Sequence, residues 1–402
     1  MKAVFMGMGY IGLPTAAVAA SKGIDVIGVD INPVVIETIN QGKIHIVEPE
    51  LDKVTKEVVA KKKLRASLQP EDADVFLIVV PTPFKQNHRA DITYVQSAIK
   101  TVIPFLKEGN LLIIESTSPV TTTEKMAELI FKERPELQGK VFIAYCPERV
   151  LPGNVIYELE NNDRVIGGIN KESSDKAAEF YVKFVKGALH KTHARTAEMC
   201  KLIENSSRDV QIAFANELSM ICHKAGINVW ELIELANKHP RVNILQPGCG
   251  VGGHCIAVDP WFIVSDYPEQ ANLIKRARET NDYKADWCAD EVLRTCQKFE
   301  EKYEREPIVA CMGLAFKPDI DDLRESPAKY ISSRIISEAR ADVLIVEPNI
   351  QSHKSFNLIH YNEAYQQADI IVWLVRHKEF LGMSKFKKED DKIELDFCGV
   401  YK

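Results

Sequence analysis

Along the first third of the chain, continuous apolar runs alternate with amphipathic stretches. Residues 3–6, 26–29, 75–80 and 111–114 read as strands buried on both faces of a parallel sheet. Helical pattern fills intervals such as 50–62 and 92–106. Strand–helix alternation of this kind implies right-handed βαβ units and a doubly wound sheet. From residue 196 to 225 no glycine or proline interrupts the chain, and Gly226 supplies a stop. As a helix this stretch spans about 45 Å at about 1.5 Å per residue. A helix of that length connects domains and packs against a partner subunit. Further helical pattern covers 229–238 and 272–300, and strand-like runs return at 308–312, 343–346 and 369–375. The pattern predicts an α/β fold with two Rossmann-like doubly wound sheets joined by a long central helix and helical segment. The expected divisions are 1–195, 196–300 and 301–402.

Composition narrows the class. At 402 residues the chain is too long for one ordinary core. Its 51 basic and 57 acidic side chains give −6 with no basic run, which disfavours nucleic acid as a partner. Residues 3–21 are uncharged and resemble a signal peptide, but Gly7, Gly9, Gly12 and Pro14 break the run. No other stretch approaches a bilayer span, so no membrane role is expected. Nine cysteines form no C-x-x-C pair, which argues against a zinc knuckle, a redox pair or a disulfide scaffold. Reduced thiols and a cytoplasmic location follow.

Gly7-Met-Gly9-Tyr10-Ile11-Gly12 lies directly after the first strand and opens the first helix. Such glycines allow a tight turn and close approach of backbone to a pyrophosphate at a helix N-terminus. An ordinary glycine turn is the competing reading. Asp30 ends the second strand eighteen residues after Gly12, where a carboxylate accepts from a ribose 2′-OH and repels a 2′-phosphate. NAD is therefore favoured over NADP. Thr82 and Thr117 sit at the carboxyl ends of two further strands, the edge where open α/β sheets bind ligands, although either could simply cap a following helix.

On the long helix Lys201, Asn205 and Arg208 fall at i, i+4 and i+7, either a functional face or a solvated stripe. The segment 246–260 packs four glycines into six residues, a loop whose backbone can lie against a ligand, followed by Cys255 with Asp259 four residues on. That thiol is a candidate nucleophile or a buried thiol after a glycine turn. Cys249, His254 and Cys255 fit no standard zinc spacing, and no metal is expected.

Together the fingerprint, Cys146-Pro-Glu148-Arg149-Val150-Leu-Pro-Gly153, Lys201-x-x-x-Asn205, Gly252-Gly-His-Cys255 and Gly313-Leu-Ala-Phe316-Lys317-Pro-Asp resemble the UDP-glucose/GDP-mannose dehydrogenase family. They stand in family order over about residues 1–376. The resemblance implies oxidation of a sugar C6 alcohol to a carboxylate with two NAD⁺. It makes Cys255 the nucleophile that captures the aldehyde and carries a thioester, with Lys201 and Asn205 steadying charge on oxygen. Glu148 would assist hydrolysis, Thr117 would position water or cofactor, and Asp259 would support the cysteine loop.

By the same resemblance Arg149, Val150, Lys201, Asn205, Arg208, His239, Arg241, Gly252, Phe316 and Lys317 contact the nucleotide sugar. Gly7, Gly9, Tyr10, Ile11, Gly12, Asp30, Thr82, Thr117 and Arg324 contact NAD. The three divisions become an NAD-binding part, a dimerisation and catalytic-loop part, and a nucleotide-sugar part. His239-Pro-Arg241-Val-Asn-Ile-Leu-Gln-Pro-Gly and Asp322-Leu-Arg324-Glu-Ser-Pro resemble members that act on UDP-N-acetyl-D-mannosamine. The family's long helix is a dimer contact, and the arginine matched by Arg241 reaches the neighbour's substrate. A homodimer or larger is therefore expected. The C-terminal Asp396-Phe-Cys398-Gly-Val-Tyr401 departs from the basic residue the family tends to carry there, and no substrate contact is assigned to it.

Other UDP- or GDP-sugars, UDP-N-acetylglucosamine, UDP-glucose and GDP-mannose, are the competing substrates. A single-hydride β-hydroxyacid dehydrogenase without thiol chemistry and a catalytically silent NAD-binding protein are the rivals from other classes.

Overall fold

A computed structural model describes residues 1–83, 85, 88–150, 153–383 and 392–402. They form two compact units, Met1–Glu204 and Asn205–Lys402.

The first unit is built on eight strands: β1 (Lys2–Met6), β2 (Asp25–Val29), β3 (Leu64–Ser67), β4 (Val75–Ile78), β5 (Leu111–Ile114), β6 (Phe142–Tyr145), β7 (Arg164–Gly168) and β8 (Leu189–His193). Their order is β3-β2-β1-β4-β5-β6-β7-β8, and only the β6–β7 pair is antiparallel. The first six follow the order of a doubly wound dinucleotide-binding sheet. Successive side chains leave the strands on opposite sides: Ala3, Phe5, Leu77 and Ile113 enter one core, while Val4, Met6, Ile78 and Ile114 enter the other. With both faces covered, the strands read as unbroken apolar runs.

The sequence pattern did not mark β8, Leu-His-Lys-Thr-His, because it lies at the sheet edge with its side chains partly in solvent. The helix expected over 92–106 runs only from Thr93 to Val102. Ile103–Phe105 then tightens into a 3₁₀ turn at Pro104, which has no N–H to continue the ladder.

A 32-residue helix, Ala194–Ala225, contains the boundary between the units and stops at Gly226, whose φ is +69°. In the second unit another 32-residue helix, Asn272–Tyr303, precedes β9 (Ile308–Met312), β10 (Asp342–Val346), β11 (Ile370–Trp373) and β12 (Ile393–Asp396). These pair in parallel in the order β10-β9-β11-β12. Val309, Cys311, Ile370 and Val372 face one core, and Ala310, Met312, Ile371 and Trp373 the other. Among the described residues no helix is long and apolar enough to cross a membrane.

Candidate active site

The candidate residues divide between the two units. In the first, Gly7 follows β1 with φ +100°, and a Cβ there would stand 2.3 Å from the Val79 carbonyl oxygen. A Cβ on Gly12 would meet the Gly7 oxygen at 1.9 Å, so both glycines are required by the protein itself. Gly9 differs: a Cβ there meets nothing within 4 Å, which leaves the turn open toward an incoming pyrophosphate. Tyr10 is exposed and Ile11 half-buried beside it. Asp30 ties this turn to β2, its Oδ2 accepting from Met8 N at 3.0 Å and its Oδ1 from Asn32 N at 2.9 Å. The residues present fit a dinucleotide at this position.

Thr82 and Thr117 are half-buried beyond the carboxyl ends of β4 and β5. The Ser116 hydroxyl joins these two strand ends by accepting from Val80 N at 2.9 Å and donating to the Ile78 oxygen at 3.2 Å. Neither threonine caps a helix. At the start of the helix Thr93–Val102, Thr93 N donates to Asp91 Oδ1 at 3.0 Å. The helix Thr122–Glu133 is capped from a distance by Glu198, which accepts from Thr121 N and Thr123 N at 2.7 Å each.

Glu148 is buried just beyond β6. Its Oε1 accepts from Arg149 N at 2.6 Å and Val150 N at 2.9 Å, and its Oε2 accepts from Arg164 at 3.1 Å. Lys201 donates to the Glu148 carbonyl oxygen at 2.8 Å, which brings these two candidates together. Arg149 donates to Glu204 and to the Asp163 carbonyl oxygen. Leu151 and Pro152 of this motif lie outside the described residues. Past them, Glu48 holds the chain by accepting from Gly153 N at 3.0 Å and Val155 N at 2.9 Å.

In the second unit Asn205 donates to Asp259 Oδ2 at 2.6 Å. Asp259 opens the helix Asp259–Asp266, and its N–H meets the Cys255 carbonyl oxygen at 2.8 Å. Cys255 is the one exposed cysteine of the nine. None of the nine is in a disulfide, and Cys249 is buried with its Sγ donating to the Leu374 oxygen at 3.2 Å. Two of the glycines before Cys255, Gly252 and Gly253, are crowded by protein neighbours. A Cβ on Gly252 would stand 2.5 Å from the Glu325 oxygen and 2.7 Å from Phe316 Cβ, and one on Gly253 would stand 2.9 Å from the Phe316 ring.

The loop is also anchored at its start. Gly248 N donates to Asn216, Asn216 to Asn281, and Asn281 to Asp209, a carboxylate that also receives Arg278 at 2.6 Å. Arg208, His239, Arg241 and Lys317 are exposed, and Phe316 is half-buried. Burial would raise the Asp322 carboxyl, but the hydrogen bonds and charge of Arg324 pull it below its ordinary value. Asp319, His377 and Glu379 place potential ligand atoms within 4.8 Å of one another. The two His377 ring nitrogens, however, meet Asp319 N and Glu347.

Sequence reasoning missed Glu48, Glu198, Glu347 and Arg164. Arg164 alone left a signal, a charged residue opening the otherwise apolar Arg-Val-Ile-Gly-Gly strand.

The UDP-glucose/GDP-mannose dehydrogenase family models match this chain three times: the NAD binding domain over residues 1–185, the central domain over 195–283 and the UDP binding domain over 310–402. The chain is 56% identical over 391 residues to UDP-N-acetyl-D-mannosamine dehydrogenase of Escherichia coli (strain K12), covering 93% of each. It is 52% identical over 408 residues to NDP-N-acetyl-D-galactosaminuronic acid dehydrogenase of Ralstonia nicotianae, covering 98% of this chain and 95% of that protein. The solved UDP-D-ManNAc dehydrogenase from Pyrococcus horikoshii is similar at a TM-score of 0.88 and 40% identity, covering 100% of this chain and 96% of that one.

Proposed function

This chain belongs to the UDP-glucose/GDP-mannose dehydrogenase family, and from that premise we propose that it oxidises the C6 alcohol of a UDP-N-acetylhexosamine to the uronate, with UDP-N-acetyl-D-mannosamine as the substrate. NAD is the cofactor. The Gly7–Gly12 turn, Asp30, Thr82 and Thr117 would hold it, with Arg324 as a further contact, and NAD⁺ when bound supplies the hydride acceptor for both oxidations.

The Cys255 thiolate adds to the C6 aldehyde to give a thiohemiacetal, whose oxidation leaves a thioester. Water then attacks, Glu148 helps remove its proton, and the C–S bond breaks to release the carboxylate and free the thiol. The Lys201 ammonium and Asn205 amide steady negative charge on the C6 oxygen. Asp259 fixes the Asn205 amide and begins the helix that follows Cys255, so it supports both partners of the reaction. Arg149, Val150, Arg208, His239, Arg241, Gly252, Phe316 and Lys317 would contact the nucleotide sugar. In this reading residues 1–195 bind NAD, 196–300 carry the cysteine loop and the dimer contact, and 301–402 bind the nucleotide. Nine cysteines with no disulfide among them support a cytoplasmic location.

The observation that carries the thiol reading is Cys255 itself, the exposed cysteine at the end of a loop pinned by buried hydrogen bonds. An NADH-production assay over UDP- and GDP-sugars tests the proposal. The N-acetylgalactosamine nucleotide is included because one relative is named for N-acetyl-D-galactosaminuronic acid, the acid that sugar would give. We expect UDP-N-acetyl-D-mannosamine to be preferred, with two NADH per sugar, and Cys255→Ala to make no acid while still binding NAD⁺. One NADH per sugar, or a Cys255→Ala variant near the wild-type rate, overturns the covalent route.

A further inference from the structure

Behind Glu148 the first unit buries a second carboxyl that the proposed reaction does not use. Glu115 directly follows β5, and its side chain has no exposed surface. Tyr181 donates to its Oε1 at 2.6 Å, and Arg164 Nη1 lies 3.7 Å from the same oxygen. Its Oε2 is buried with no hydrogen-bond partner. Arg164 opens β7 at 5% side-chain exposure. Its other terminal nitrogen is the one that donates to Glu148, and its guanidinium lies 4.9 Å from the centre of the Tyr181 ring. Cys146 Sγ stands 3.8 Å from Arg164 Nη1. The groups facing Glu115 are therefore Arg164 from β7, Cys146 and Glu148 from the end of β6, and Tyr181 from the helix Lys171–Tyr181.

One guanidinium thus serves two buried carboxyls. A buried carboxylate needs a counter-charge or several donors, and one cation neutralises only one of the two. Glu148 is far better supplied, with two backbone amides and Arg164 against a single phenol for Glu115. An unsatisfied oxygen costs less on a neutral carboxyl than on an ionised one, which places the proton on Glu115. Burial pushes Glu115 up to about 7, against the pull of Arg164 and with a further push from Glu148. Burial also holds the Cys146 thiol up at about 11 and Tyr181 well above its ordinary value, so neither adds charge.

We infer that Glu115 is a positioning residue that acts on Glu148 through Arg164: its protonation decides whether the guanidinium is committed to Glu148 or shared with a second carboxylate. The inference rests on the hydrolytic role proposed above for Glu148. While Glu115 is neutral, the Arg164 charge is undivided and holds the Glu148 carboxylate in place. Once Glu115 has released its proton to solvent, the guanidinium is shared between two carboxylates, and Glu148, held less tightly by Arg164, is freer to reach the attacking water. Thioester hydrolysis therefore accelerates as pH rises through the titration of Glu115.

The test is single-turnover uronate release from the full-length enzyme with UDP-N-acetyl-D-mannosamine and NAD⁺, followed by quenched flow from pH 5.5 to 9. Wild type should show a rise centred near neutral pH, and Glu115→Gln should abolish that rise while leaving the KM values and the first NADH release in place. Tyr181→Phe removes the donor that favours ionised Glu115, so the rise should move to higher pH. This second variant decides the matter if the first does not fold. A rise that persists in Glu115→Gln, or stays put in Tyr181→Phe, overturns the inference. Glu148→Gln separates the two proposals. If it hydrolyses the thioester at the wild-type rate, the role of Glu148 falls and the inference with it. If it is slow while Glu115→Gln keeps the rise, only the inference falls.

Discussion

Replacing Glu347 by Gln tests how the loop carrying Phe316 and Lys317 is held. Glu347 follows β10, and its side chain has no exposed surface. Its Oε2 accepts from Leu314 N at 2.8 Å and Ala315 N at 2.9 Å and meets His377 Nε2 at 3.1 Å, while its Oε1 accepts from Asn349 N at 3.0 Å. At the far end of the loop, Asp319 N donates to His377 Nδ1 and Lys378 N donates to Asp319 Oδ1. Burial alone would raise the Glu347 carboxyl. The hydrogen bond with His377 and the amides of Leu314 and Asn349 overcome it and bring the value from 4.5 down to about 2.

At about 1.36 kcal/mol per pKa unit that difference is worth about 3 kcal/mol. The folded state has the lower pKa, so this stability is fully present above pH 4.5 and is lost as pH falls toward 2. All four tryptophans, Trp230, Trp261, Trp287 and Trp373, lie in the second unit. Their fluorescence during urea unfolding of the whole chain therefore reads that unit. We expect Glu347→Gln to lower its stability by about 3 kcal/mol at pH 7, and the gap from wild type to narrow to about 1 kcal/mol at pH 3. A gap that is the same at both pH values would refute the electrostatic account of this loop.

Two other outcomes follow from the candidate residues. Asp30, fixed beside the glycine turn by Met8 N and Asn32 N, should give a higher kcat/KM with NAD⁺ than with NADP⁺, measured by steady-state kinetics with both cofactors. The reverse preference would show that Asp30 does not face the ribose. Arg241 is exposed and should act on the diphosphate or sugar of the substrate in a neighbouring subunit, where a guanidinium binds two oxygens at once. Mixed Arg241→Ala and Cys255→Ala subunits should then recover part of the lost activity after exchange. A dead mixture with exchange demonstrated, or a monomer in sedimentation at assay concentration, refutes the shared arrangement.

Much of the architecture was legible in the sequence because the signals are local. Two-sided burial makes β1, β2, β4, β5, β9 and β11 read as unbroken apolar runs, and thirty residues without glycine or proline announce the long helix. The spacing of the Gly7–Gly12 turn is equally local, and Gly12 is dictated by the Gly7 carbonyl a turn away, although Gly7 itself is dictated by the Val79 carbonyl at the end of β4. Edge strands such as β8 were hidden because half-solvated side chains carry no such pattern.

The wiring of the candidate site was decided by the tertiary structure. Which oxygen of Glu148 meets Arg164, sixteen residues on, could not be read from spacing, nor could Glu198 capping a helix seventy-five residues back. The glycines before Cys255 looked like a surface for a ligand, yet Phe316 and Glu325 fill the space beside two of them. In each case the deciding quantity is the energy of a buried charge or a close backbone contact. Both depend on atoms that distant parts of the chain bring within a few ångströms, and linear sequence carries no record of that distance until the chain has folded.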